Sequence, residues 1–194
     1  IEKWYIDSLN KIKYMFPKAH ATAYVMMAWR IAWFKIYYPM EYYATFFTVR
    51  SDVFDIESAL ESKVYVERKL KELERKQYSN EKLSQKEEEL IPIFEIINEM
   101  LARGITISNI DLYKSKATEW QIDYENKSLI PPFIVLDGLG ETAARSIIEA
   151  RKEKEFTSKI DLAKRTQINK TVLEKMEKLG ITSKLASTDQ LKLF

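Results

Sequence analysis

The chain has 194 residues, 46% of them apolar and 31% charged, a composition typical of a soluble folded protein and a length sufficient for one good-sized domain or two small ones. Its net charge is only +2, so any attraction to nucleic acid must come from local clustering of charge. The lack of cysteine excludes disulfides and thiolate metal sites, and the single histidine, His20, excludes a histidine-rich one.

The first 54 positions hold fifteen of the twenty-four aromatic residues, more apolar surface than so short a piece can bury by itself. The opening Ile1-Glu2-Lys3-Trp4 has no start-like or tail-like character, which points to a piece of a longer chain. No secretory n-region and h-region are present. The longest greasy stretch, Ala21 to Val49, is interrupted by Arg30, Lys35, Pro39 and Glu41, all costly in lipid. It reads as buried core or partner surface, with the cytoplasm as the expected compartment by elimination and no membrane partner.

Within this stretch Phe16-Pro17-Lys18-Ala19-His20 leads into a helical run from Ala21 to Tyr37, with Pro17 suited to the first helical position. Lys18 and His20 fall in the first turn, where a cation opposes the helix dipole and a bound anion would remove the conflict. His20 and Tyr24 are four apart and share a face. On the residues alone His20 reads two ways, as a packing or capping group or as a ligand contact. Arg30 and Lys35 read as cations snorkelling at a core edge or as further contacts.

From Asp55 to Glu89 the chain is charge-rich and helical, with an apolar stripe of Leu60, Val64, Leu70 and Leu73 and an i,i+4 pair at Glu67/Lys71. Ser79-Asn80 breaks this helix. Ser84-Gln85-Lys86-Glu87 has the pattern of a capping box for the next, and Leu90, Phe94, Ile97 and Leu101 continue at helical spacing to a C′ stop at Gly104. Pro92 implies a kink or two consecutive helices. Ile105 to Tyr113 and Ala117 to Asp123 predict two short strands, and Pro131-Pro132 marks a boundary. Asp52, Asp55 and Glu57 read as a solvated turn and helix start, not as a metal-binding set.

Beyond the double proline the sequence predicts two short helical hairpins. In Leu136-Asp137-Gly138-Leu139-Gly140-Glu141-Thr142-Ala143-Ala144, two glycines flank one apolar residue, which allows a tight turn with its backbone pressed against a ligand. Leu139 anchors the turn, and the helix from Glu141 to Arg151 aims its free N–H groups at whatever lies there. Ala143 permits close helix packing, and Ile147 and Ile148 supply core. In the second hairpin Ile168, Val172 and Met176 take the spacing of Leu139, Ala143 and Ile147, but Thr166-Gln167-Ile168-Asn169 lacks both glycines. The pattern resembles the tandem helix-hairpin-helix module, which holds a DNA phosphate without reading sequence, with one better contact half. The bare alternative is a helix–helix turn. Residues 1–54 and 133–186 each carry a net +3 and the stretch between them −4, so the two basic ends are the places to look for phosphate.

The chain ends Gln190-Leu191-Lys192-Leu193-Phe194, three large apolar side chains with no core left to join, hence either a frayed end or a ligand for a partner's pocket.

Three of these features occur in the order found in one family. Phe16 to Tyr24 followed by Tyr38-Pro39-Met40-Glu41-Tyr42 resembles the fingers segment of bacterial C-family replicative DNA polymerases. Gln190 to Phe194 resembles the sliding-clamp-binding motif. Arg103-Gly104, Ile110-Asp111-Leu112-Tyr113 and Leu129-Ile130-Pro131-Pro132-Phe133 resemble the linker of the PolC type. Ending at the clamp motif favours this type over the other branch of the family, which carries the motif internally and adds an oligonucleotide-binding domain.

The resemblance implies a mainly α chain that forms the carboxy-terminal part of the polymerase: a helical fingers segment, a small two-stranded β element, a tandem helix-hairpin-helix unit and a flexible tail. The expected divisions are 1–56 (fingers), 57–132 (helical linker with short strands), 133–184 (duplex-binding) and 185–194 (clamp-binding tail). Lys18, His20 and Tyr24 would contact the incoming dNTP; Gly138, Leu139, Gly140, Thr142 and Arg145 the primer–template duplex; Gln190, Leu191, Leu193 and Phe194 the bacterial sliding clamp, the beta subunit. The enzyme implied is a DNA-directed DNA polymerase, a nucleotidyltransferase. Its catalytic carboxylates and their Mg²⁺ belong to a palm domain upstream. This stretch therefore holds no catalytic residue, no metal ligand and no cofactor, and should be inactive by itself. The competing expectation is a non-catalytic DNA-binding adaptor with a clamp-binding peptide.

Overall fold

A computed structural model of the chain describes residues 1–12, 17–50, 53–79 and 81–188. They form two compact units, Ile1–Pro39 and Met40–Phe194. In the first, α1 (Lys3–Lys11) precedes α2 (Lys18–Tyr37), an unbroken run without glycine or proline that begins just after Pro17. Pro17 thus sits at the N-cap, one place earlier than expected. Apolar residues lie on every side of α2, yet no residue of either helix is buried. Trp29 is 75% exposed, and Trp33 packs on its neighbours Phe34, Tyr37 and Tyr38, with ring centroids 5.0–5.4 Å apart.

The second unit has one continuous core, from Tyr43 to Ile181. It opens with α3 (Pro39–Arg50), which buries Tyr43, Ala44 and Phe47, and the short α4 (Ile56–Ala59). The α5 helix (Lys63–Tyr78) packs on α6 (Gln85–Ala102). Val66, Leu70 and Leu73 form the buried stripe of α5, whereas Val64 is 74% exposed. The helix is therefore turned away from the expected stripe, because the side that meets α6 is set by Val66 and not by Val64. Glu67 pairs with Lys63 at 3.7 Å, one turn towards the N-terminus from the expected Lys71.

The capping box forms as the sequence predicts: Ser84 Oγ accepts the Glu87 N–H at 3.3 Å and Glu87 Oε2 accepts the Ser84 N–H at 2.9 Å. Pro92 lies inside α6, which stays one helix rather than two. The helix ends at Gly104, whose φ of +75° lets the N–H of Ile105 turn back to the Met100 carbonyl and that of Gly104 to Leu101.

The β element has three strands and not two. β1 (Thr106–Ile107) and β2 (Gln121–Asp123) both pair with β3 (Ser128–Ile130), the first parallel and the second antiparallel, giving the order β1-β3-β2. The central strand is buried at all three positions, so it shows no alternation in the sequence. Trp120 joins this sheet region to α3 by packing on Phe47 and Phe54, with centroids 5.1 and 5.0 Å apart, and by donating its backbone N–H to Thr48 Oγ1 at 3.1 Å.

After Pro131-Pro132 the chain makes a 3-10 turn at Phe133–Val135, then α7 (Glu141–Glu153), α8 (Lys159–Arg165) and α9 (Lys170–Lys178). The first limb of the first hairpin is thus a single 3-10 turn where a short helix was expected. The N–H groups of Phe133 and Ile134 donate instead to the carbonyls of Lys116 and Ala117, at 2.9 and 3.0 Å, which ties the turn to the loop before the second strand. The buried stripe of α7 is Ala144, Ile147 and Ala150; Ala143 and Ile148, expected inside, lie at its margins. Ile168, Val172 and Met176 are buried as the hairpin spacing predicts. Among the described residues no helix is long and apolar enough to cross a membrane.

Candidate nucleic-acid interface

The turn between the double proline and α7 is built around Leu139, which is buried and whose N–H returns to the Leu136 carbonyl at 2.9 Å. Gly138 has φ +88°, a left-handed conformation that a side chain would strain. Gly140 has an ordinary φ of −74°, and a Cβ added there would meet nothing within 4 Å. The two glycines therefore do different jobs. Gly138 lets the chain turn, while Gly140 leaves open space beside the backbone.

That open space faces the start of α7. Asp55, Ser62, Ser84, Ser158 and Asn169 each cap their helix, α4, α5, α6, α8 and α9 respectively, with a side-chain oxygen. Gly140 has no such oxygen to give, and α7 starts without a side-chain cap. Its first N–H groups and the partial positive charge they carry are offered outward. The second hairpin differs. There Asn169 Oδ1 takes the Val172 N–H at 2.9 Å and Ser146 Oγ takes the Gln167 N–H at 2.8 Å, so the donors of that turn are used internally. The expected inequality between the halves has this physical form.

Thr142 and Arg145, expected beside the turn, are exposed on the first turns of α7. Arg145 pairs with Glu141 on the preceding turn, Nη2 to Oε1 at 2.6 Å and Nε to the same oxygen at 2.7 Å. Two groups were missed by the sequence reading. Lys175 of α9 donates to Asp137 twice, to its carbonyl at 2.9 Å and to Oδ2 at 2.5 Å. The hydrogen bond and charge of Lys175 hold the Asp137 carboxyl below its usual range. Lys86 lies on the other side, in a cleft of about 860 Å³ between the start of α6, the aromatic group Phe47, Phe54 and Trp120, and the Asp137–Gly140 turn. Neither lysine carries a local signal: Lys175 is 38 residues from its partner, and Lys86 is one more charge inside a capping box.

In the first unit His20 and Tyr24 do share a face of α2, with ring centroids 4.3 Å apart at an interplanar angle of 85°, and Tyr24 is 61% exposed. Lys18 is exposed in a first turn that has no acidic residue and no side-chain cap. Phe16 lies outside the described residues, as do Asp52, Asn80 and the whole proposed clamp contact, Gln190, Leu191, Leu193 and Phe194. Asp55 and Glu57 are occupied separately. Asp55 takes the N–H and Oγ of Ser58 at 3.1 and 2.7 Å, and Glu57 takes Lys178 Nζ at 2.8 Å. They do not form the convergent carboxylate pair that a two-metal site needs.

The helix-hairpin-helix motif family matches residues 104–191, which include the glycine turn and all three helices after it. Over its entire length the chain is similar to part of the proteins named DNA polymerase III PolC-type. It is 52% identical over 197 residues to that of Ureaplasma parvum, 52% over 195 residues to that of Mycoplasmopsis pulmonis and 45% over 194 residues to that of Streptococcus pneumoniae serotype 2. In each case the whole of this chain aligns with only 13–14% of the relative, so it spans about one seventh of their length.

Proposed function

We propose that this chain, with its whole-length similarity to PolC-type DNA polymerase III and its helix-hairpin-helix motif, is the fingers-to-carboxy-terminus part of a bacterial replicative DNA polymerase. In this reading the helix-hairpin-helix unit grips the primer–template duplex, α2 faces the incoming dNTP through Lys18, His20 and Tyr24, and the tail from Gln190 binds the sliding clamp. Nucleotidyl transfer and its Mg²⁺ belong to the rest of a longer cytoplasmic enzyme. The exposed aromatic side of α2 is surface for that remainder to cover.

The observation that carries the duplex-binding role is the uncapped start of α7 behind Gly140. A DNA phosphate fits it because backbone N–H groups and the helix dipole converge on an anion there, and no side chain stands in the way. Backbone donors cannot tell one base from another, so binding should be nearly independent of sequence. The same logic assigns the first hairpin as the stronger contact, since the second has spent its N–H groups on Asn169 and Ser146.

Gly140→Val in the full-length protein tests this. The new side chain enters open space and leaves the φ angle allowed, so the fold is expected to stand while duplex affinity falls. Binding of several unrelated duplexes should weaken alike, and the logarithm of affinity should fall with log salt by about −0.9 per phosphate neutralised. Unchanged affinity in a folded Gly140→Val protein, or a strong preference for one base sequence, would overturn the assignment.

A further inference from the structure

We propose that Lys175 is a positioning residue for duplex DNA: it neutralises Asp137, the carboxylate beside the glycine turn, and holds that turn in the form that admits a phosphate. The inference rests on the duplex-binding reading of the turn and adds a residue from the opposite hairpin to it.

Asp137 is a misfit for a phosphate site. It directly precedes Gly138, its side chain is 78% exposed, and an unpaired negative charge there would repel the DNA backbone. Lys175 removes that charge from view. Its ammonium donates to Oδ2 at 2.5 Å and to the Asp137 carbonyl at 2.9 Å, so it binds both the carboxylate and the peptide that leads into the left-handed Gly138. The same Nζ lies 4.0 Å from where a Gly138 Cβ would stand, and the Val172 methyl lies 3.8 Å from it. The turn therefore leans on α9, and the weaker hairpin supports the stronger one without touching DNA itself.

A solvent-facing pair of this kind adds little to folding stability. Its effect is placed where an anion arrives. Arg145 pairs instead with Glu141, a turn away. Lys86 lies across the cleft and reaches Asp137 only through space, as a weaker influence on its charge than the bonded Lys175.

A mutant cycle in the full-length protein, read by fluorescence anisotropy on a primer–template duplex over a salt series, tests the inference. Lys175→Met should raise Kd about three- to tenfold at low salt, an unscreened like charge near a phosphate. Asp137→Asn should leave binding equal or tighter, and Lys175→Met with Asp137→Asn should return to within about twofold of wild type. Lys175→Arg, which keeps the pair, should bind like wild type. A double variant no better than Lys175→Met, with a salt slope lower by about one, would show that Lys175 itself contacts a phosphate and would overturn the proposal. Loss of affinity in Asp137→Asn alone would overturn it too. If Lys175→Met binds normally while Gly140→Val does not, this inference fails and the turn reading stands; if both bind normally, the turn reading has failed.

Discussion

Arg165, the last residue of α8, donates to the carbonyl of Lys154 just past the end of α7, Nη2 to O at 2.9 Å. The same guanidinium reaches the Ala150 carbonyl, pairs with Asp161 at 3.1 Å and lies 4.9 Å from the centroid of Phe156. One side chain thus caps the carboxy-terminal end of the helix whose other end has no side-chain cap. A cation at that end complements the helix dipole and fixes the angle between α7 and α8.

Arg165→Ala should destabilise the hairpin unit by about 2–3 kcal/mol, the worth of charge-assisted bonds to carbonyls plus a partly exposed cation–π contact. Arg165→Lys should recover little, since one ammonium cannot span two carbonyls, a carboxylate and a ring. Native-state hydrogen exchange of the α7 amides reads this directly. Protection factors unchanged from wild type would show that packing alone holds the helix end.

A second prediction concerns pH. The Ser84 N–H and hydroxyl, and then Lys76, hold the Glu87 carboxyl down to about 2 from an ordinary value of 4.5. A carboxyl depressed in the folded state adds stability that is complete above 4.5 and is lost as pH falls towards 2. The start of α6 should therefore fray first on acidification through that window. Ser84→Ala, which removes the hydroxyl and keeps the backbone N–H, should move the Glu87 titration, followed by carboxyl NMR, part of the way back towards 4.5 and weaken the acid dependence of the first α6 amides. A Glu87 titration unaffected by Ser84→Ala would contradict the capping-box account.

These cases show which features a sequence reader can see. The Ser84/Glu87 box, the Gly104 stop, and the buried Leu139, Ile168, Val172 and Met176 are written in spacings of three or four residues, where local geometry decides the outcome. The stripe of α5 was misplaced from Val66 to Val64 because one apolar residue on either side of a charged helix looks equally good until α6 picks a face. β3 was missed because Ser128–Ile130 is three residues long and buried throughout, so no alternation marks it. Asp137 with Lys175, and Arg165 with the α7 carbonyls, join residues 38 and 11–15 positions apart. Those contacts depend on the path of the chain and have no local signature.

The nucleotide-facing role proposed for α2 makes a kinetic prediction. His20 and Tyr24 present two rings packed edge to face on one exposed side of α2, beside a helix start that carries Lys18 and no acidic residue. In the full-length enzyme His20→Ala and Tyr24→Ala should each raise KM for dNTP about tenfold, the scale of one charge-assisted contact. Lys18→Ala should act mainly through the triphosphate. Primer–template affinity should stay near wild type in all three, because the proposed duplex contact lies at the Gly138–Gly140 turn. An equal loss of duplex and nucleotide binding would instead make His20 a packing group.

The tail supplies the last test. Burying Leu191, Leu193 or Phe194 in a partner's pocket is worth roughly 1.5–3 kcal/mol each, with Gln190 as a hydrogen-bonding anchor and Lys192 at the rim. Ordering a tail costs about 1–2 kcal/mol per residue in backbone entropy, so most of that gain is offset and the isolated peptide should bind the clamp only modestly. In the proposed reading the hairpin unit holds the protein on DNA beside the clamp, so the same contact would become nearly intramolecular and gain from effective concentration. Deleting the last five residues should therefore leave short-gap synthesis intact and abolish clamp-stimulated long-tract synthesis. Substituting Leu193 and Phe194 by alanine should do the same with the chain length unchanged. Full clamp stimulation after either change would show that the contact is made elsewhere, and that the affinity attributed to these side chains is not used.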